Sequence, residues 1–168
     1  MKTLLTTALL TTALLSPSAF AGWDHSKNEN PLTDEVQLLS DSSYVDLGGY
    51  QNLATIGIRC DVDSQDLMFT VYTDDGISVP NDDNVNFAMR VDKNKAFQLS
   101  GRTFSNAYRS GFARLKGEQA RNLVDQFRAG NRVFVQVNAQ RQVKSQFTIS
   151  LAGFTKHSRR ALKACGID

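Results

Sequence analysis

Two histidines, two cysteines and three clusters of aspartate are the side chains here with the chemistry to act on a substrate or hold an ion. A nucleophilic triad needs a histidine poised beside a positioned hydroxyl. His25 lies in the polar stretch GWDHSKNENPLT, and His157 falls on the basic face of what reads as the last helix. Neither adjoins a nucleophile-elbow pattern, and the side chains of His157 and Ser158 would diverge on a helix. Both read as solvated surface histidines. Asp61, Asp63 and Asp66 outline D-x-D-x-x-D, which faintly resembles a calcium loop but lacks the glycine and the closing glutamate of an EF-hand. Solvation of a hairpin loop accounts for them better, and the same holds for Asp74-Asp75 and Asp82-Asp83. There is no phosphate-cradling glycine loop and no H-E-x-x-H motif. The expectation is a non-enzymatic chain with no catalytic residue, no metal and no cofactor.

The cysteines carry a different message, which depends on the compartment. Residues 1–21, MKTLLTTALLTTALLSPSAFA, have one charge at Lys2, an apolar run, a break at Pro17 and the small-x-small ending Ala19-Phe20-Ala21. This reads as a signal peptide cut after Ala21, with an uncleaved anchor as the alternative. The run is too short and too threonine-rich to span a bilayer comfortably, so stable membrane insertion is not expected. A periplasmic or secreted domain of residues 22–168 would remain, large enough for one core. In an oxidising compartment a Cys60–Cys165 disulfide is the economical reading; two buried thiols are the alternative. A zinc site is disfavoured, because two cysteines and two scattered histidines lack paired spacing.

Elements that would position these residues follow from periodicity. Leu53–Tyr72, LATIGIRCDVDSQDLMFTVY, alternates through Ala54, Ile56, Ile58, Cys60 and Val62, pauses at 63–66, and resumes with Leu67, Phe69 and Val71. That is a hairpin of two half-buried strands. Further alternation predicts strands near 35–40, 85–91, 97–99, 133–137 and 143–151, with turns at 73–76 and 80–84. Ala120, Leu123, Val124 and Phe127 form an i, i+3, i+4, i+7 stripe, so 118–129 is a helix, with Gly130 placed to cap it in a left-handed conformation. Phe154, Ala161, Leu162 and Cys165 share one face of a second helix, with Lys156, Arg159, Arg160 and Lys163 left for solvent and Gly166 as cap. Ser105–Gly117 is ambiguous, since Tyr108, Phe112 and Leu115 have helical spacing but Gly111 and Gly117 interrupt it. Residues 22–34 read as a loose arm docking through Trp23, more a lid on the core than a binding platform. The expected fold is a single α+β domain. About seven mainly antiparallel strands, as a sandwich or curved sheet, carry two helices, the C-terminal one stapled to the sheet by the disulfide.

Charge is strongly asymmetric. Residues 22–92 hold three basic and 14 acidic side chains, a net of −11; residues 93–168 hold 15 basic and three acidic, a net of +12. Two readings follow: the halves neutralise each other on folding, or they present a partner surface. The candidates for such a surface are Lys156, Arg159, Arg160 and Lys163 on one side and Asp61, Asp63 and Asp66 on the other. Nucleic acid is disfavoured by the compartment and by the lack of an aromatic-basic repeat.

Several short motifs share an order with a known family. Trp23 and Pro31-Leu32-Thr33-Asp34 precede the first strand; Ile58-Arg59-Cys60 ends a central strand; Arg90-Val91-Asp92 follows mid-chain. Ile149-Ser150-Leu151-Ala152-Gly153-Phe154 leads to Cys165-Gly166 at the close. The chain thereby resembles the exported type VI secretion-associated VasI/EvfG (TagO-like) family over nearly all of residues 22–168. Phe97 stands where that pattern has a tryptophan, and the basic 105–130 region reads as an insertion relative to it. The resemblance implies a periplasmic accessory protein that contacts another protein of the cell envelope, associated with a type VI secretion apparatus. On that reading Arg59, Arg90 and Asp92 form a structural ion-pair cluster. The competing function is a periplasmic inhibitor or immunity-type protein, its acidic loops plugging the basic cleft of a cell-wall hydrolase or toxin.

Overall fold

A computed structural model describes residues 22–48, 52–77, 83–104 and 107–167. The leader 1–21 and most of the 80–84 turn lie outside the described residues. Ten strands and two helices follow one another along the chain. They are β1 (Trp23–Glu29), β2 (Val36–Ser42), β3 (Val45–Asp46), β4 (Leu53–Asp61), β5 (Asp66–Thr73), β6 (Asn84–Val91), β7 (Phe97–Phe104), β8 (Ala107–Leu115), α1 (Gly117–Ala129), β9 (Arg132–Ala139), β10 (Gln142–Ser150) and α2 (Phe154–Ala164). The strands form one antiparallel sheet in the order β1-β2-β4-β5-β8-β7-β6-β9-β10, with β3 paired to β4. No helix among the described residues is long and apolar enough to cross a membrane.

The central hairpin lies where alternation puts it. Ile56 pairs with Val71 and Ile58 with Phe69, so one face of β4 and β5 is continuously apolar and buried. Both helices pack against that face, and a chain of ring contacts records how. Phe87 on β6 meets Phe69 on β5, Phe69 meets Phe127 on α1, Phe127 meets Phe154 on α2, and Phe154 meets Trp23 on β1. Centroid separations along this ladder run from 4.9 to 6.4 Å with near-perpendicular planes, the edge-to-face geometry that aromatic quadrupoles favour. The indole N–H of Trp23 donates to the carbonyl of Ser150 at 2.9 Å, so the sheet curls until its first and last strands approach.

Three strands exceed the seven expected: β1, β3 and β8. The stretch expected as a loose arm, 22–34, is largely β1, paired residue for residue with β2 from Trp23↔Ser42 to Glu29↔Val36. Six of its seven side chains are exposed, so an edge strand that is polar on both faces left no alternation to read. Asn30 closes the β1–β2 connection, its side chain accepting from the Leu32 N–H at 3.0 Å. The ambiguous 105–117 stretch contributes β8, between β5 and β7. Its core-facing positions are Gly111, Ala113 and Leu115, two of them too small to register as apolar, while Phe112 turns outward onto Phe104.

Both helices keep their expected buried stripes, Ala120, Leu123, Val124 and Phe127 on α1 and Phe154, Ala161 and Leu162 on α2. Their caps differ. Gly166 is left-handed at φ 68°, and the Ile167 N–H reaches the Leu162 carbonyl while the Gly166 N–H reaches that of Lys163, a Schellman closure. Gly130 does not adopt the left-handed cap expected of it: its backbone is extended, at φ −91° and ψ 166°. Glycine is needed there for space, since a Cβ would collide with Val91 and sit 2.9 Å from the Gln126 carbonyl oxygen.

Candidate docking surface

Cys60 on β4 and Cys165 at the end of α2 form the disulfide, with Cα atoms 5.9 Å apart. Cys60 is fully buried on the apolar parity of β4, so the bond fastens the last turn of α2 to the third strand of the sheet path. Once that face of α2 is pinned, its opposite face is fixed too. Lys156, Arg159, Arg160 and Lys163 stand at i, i+3, i+4 and i+7 along one ridge, all four exposed. Among the described residues none of the four has an acidic partner. Ser158, between them in sequence, turns inward and is buried, its hydroxyl donating to the Phe154 carbonyl at 2.7 Å. The Ser158 hydroxyl is therefore engaged away from His157.

The acidic hairpin is more fully engaged. Asp61 accepts the backbone N–H groups of Asp63 at 3.1 Å and Ser64 at 3.0 Å, turning the chain from β4 into β5. The Ser64 N–H, with smaller help from Asp63 and Arg114, holds the Asp61 carboxyl below its ordinary value. Asp66 is paired with Arg114 of β8 at 2.5 Å. Asp63 is the member of the trio left exposed at the tip. A second cross-half pair joins Asp74 to Arg109 at 3.7 Å. Among the described residues, self-neutralisation thus operates where β5 meets β8 and does not reach the cations of α2.

Arg59, Arg90 and Asp92 are not brought together. Arg59 on β4 lies over the Phe104 ring, 5.3 Å from its centroid, a cation–π contact. Arg90 is exposed on β6, four strands away in sheet order. Asp92 receives the backbone N–H groups of Asn131 at 2.9 Å and Arg132 at 3.2 Å, tying the end of β6 to the start of β9. The Asn131 N–H is the main reason its carboxyl is held below the ordinary value. The family resemblance implied an ion-pair cluster; the fold uses each residue separately.

A groove of about 460 Å³ that the sequence did not flag is lined by Tyr44, Asn52, Leu53, Tyr72, Asp74, Asp75 and Arg109. The Tyr72 hydroxyl donates to Asp74 at 2.6 Å, Asp74 also accepts the Leu53 N–H at 3.0 Å, and Asn52 donates to Asp75 at 2.6 Å. The Tyr72 hydrogen bond lowers the Asp74 carboxyl and raises the phenol, so both are held in their resting forms. That is a paired lining and not an activated nucleophile. Its only signal in the sequence was the Asp74-Asp75 turn.

Compared with protein-family models, with curated proteins and with solved structures, the chain matches none.

Proposed function

We propose that this protein is a non-enzymatic periplasmic accessory protein that docks, through the cationic ridge of α2, onto an acidic surface of another envelope protein. The observation that carries the reading is the ridge itself: four exposed cations in register, on a helix locked to the sheet by a disulfide, with no acidic partner among the described residues. A rigid array of like charge that the fold leaves unneutralised costs some self-repulsion, which a complementary surface would relieve, and it speeds encounter with that surface. The disulfide suits an oxidising compartment. A component of a type VI secretion apparatus is the partner that the motif resemblance implies.

The inhibitor reading draws less support. Asp61 is committed to its turn, Asp66 to Arg114 and Asp74 to Arg109, so three of the acidic groups that would plug a basic cleft already have partners.

The test is capture from envelope extract on the oxidised protein at low and high salt, with mass spectrometry of the bound material. Recovery of secretion-apparatus components by the wild type, and their loss at high salt and in an Arg159→Glu/Arg160→Glu variant, is the expected result. Recovery of a hydrolase or toxin that the double variant still retains would overturn it in favour of the inhibitor.

A further inference from the structure

The chain's two histidines, one near each end, meet in the folded protein. Strand parity puts the side chains of Trp23 and His25 on the same face of β1. Trp23 is buried against Phe154, ring centroids 4.9 Å apart, which seats the start of β1 on the first turn of α2. His157 follows Phe154 by three residues and so shares its side of the helix. The two imidazole rings end 5.7 Å apart, and Oδ1 of Asp24 lies 3.9 Å from Nδ1 of His25. One ligand atom from each of Asp24, His25 and His157 lies within 4.8 Å of the other two.

We propose that Asp24, His25 and His157 form a zinc site that fastens β1 to α2. Two imidazole nitrogens and one carboxylate oxygen are the donors that Zn²⁺ takes, with a fourth position left for water; Mg²⁺ and Ca²⁺ favour oxygen throughout. Bonds of about 2.0–2.2 Å set tetrahedral ligands roughly 3.3–3.6 Å apart, so binding requires the widest separation to close by up to about 1.5 Å. Asp24 and His25 can supply that movement, their side chains being 95% and 48% exposed on an edge strand. His157 is the fixed member, half-buried on α2, and its Nδ1 is buried with no hydrogen-bond partner among the described residues. One nitrogen of that ring is therefore uncommitted to the protein. The site is independent of the cationic ridge, which lies on other residues of the same helix.

The experiment is a zinc titration of the EDTA-dialysed, disulfide-intact protein by calorimetry and thermal unfolding. Trp23, the sole tryptophan and two residues from His25, serves as an optical probe through quenching by Cu²⁺, which competes for imidazole sites. One zinc per chain is expected, with the unfolding midpoint raised by roughly 5–10 °C when zinc exceeds Kd a hundredfold. Cu²⁺ should quench Trp23 reversibly on adding EDTA. His25→Ala and His157→Gln should each weaken zinc binding at least tenfold. His25 is exposed, so its variant is expected to fold as the wild type does, and it decides the matter if His157→Gln is unstable. No one-to-one binding at micromolar zinc, or binding unchanged in His25→Ala, would overturn the proposal.

Discussion

Asp92 and Asp41 are carboxylates of one chain with opposite linkage to pH. The Asn131 and Arg132 N–H groups favour the charged form of Asp92, so its carboxyl is held below the ordinary aspartate range. Its contribution to stability is complete above the unfolded pKa and is lost as pH falls through the folded one. An Asp92→Asn variant should be less stable than wild type at pH 7, and the difference should shrink as the pH is lowered from about 5 towards 2. Urea midpoints measured across that range check it. Asp41 on β2 is partly buried, and burial raises its carboxyl despite the attraction of Arg59. A raised folded pKa gives stability that is present below the unfolded value and is lost as pH rises through the folded one. Asp41→Asn is therefore expected to raise the urea midpoint at pH 7 and to leave it nearly unchanged at pH 3. Gly130 belongs at this scale too. Gly130→Ala must displace Val91 or the last carbonyls of α1 and should cost roughly 1–3 kcal/mol, read from the same unfolding curves.

Among the elements, α1 carries the centre of the aromatic ladder. Phe127 is fully buried between Phe69 and Phe154, so removing its ring breaks the aromatic contacts of α1 with both β5 and α2. Phe127→Ala should cost about 3–5 kcal/mol by chemical denaturation, whereas Tyr108→Ala, at a side chain 70% exposed on β8, should stay within about 0.5 kcal/mol. The α2 helix divides its faces between tasks: Phe154, Ser158, Ala161 and Leu162 serve the core, and the four cations face solvent. Helical periodicity made that division legible in advance for Phe154, Ala161, Leu162 and the four cations, but not for Ser158 or the half-buried His157. The strand β8 was not legible, because Gly111 and Ala113 occupy its inner face and leave the larger Tyr108 and Phe112 to suggest a helical spacing that the chain does not use.

For the whole molecule, the disulfide joins positions 105 residues apart and ties α2 to β4. Loop-closure entropy assigns such a crosslink about 4–5 kcal/mol, mostly by restricting the unfolded chain. Reduction with a thiol, or a Cys60→Ala/Cys165→Ala variant, should lower the thermal midpoint by roughly 10 °C or more. Docking should weaken alongside, since α2 would lose its anchor. A reduced protein with an unchanged midpoint would mean that the apolar face alone holds α2. Charge distributes itself at this scale as well. The acidic first half and basic second half meet where β5 pairs with β8, and Asp66–Arg114 and Asp74–Arg109 offset each other there, while no acidic side chain among the described residues pairs with the cations of α2.

The sequence by itself determined what depends on local periodicity and composition: the central hairpin, the buried stripes of both helices, the antiparallel α+β class, and which cysteines would pair if oxidised; the structure then brought Cys60 and Cys165 together. Tertiary structure decided what depends on which distant residues become neighbours. It made a strand of the polar 23–29 stretch, because backbone pairing with β2 needs no apolar face. It also separated Arg59, Arg90 and Asp92, because strand order and not chain order sets the distance between side chains. His25 and His157 read singly as solvated surface groups, and only the seating of Trp23 on Phe154 brought them together. Periodicity records which way a side chain faces; it holds no record of what will face it.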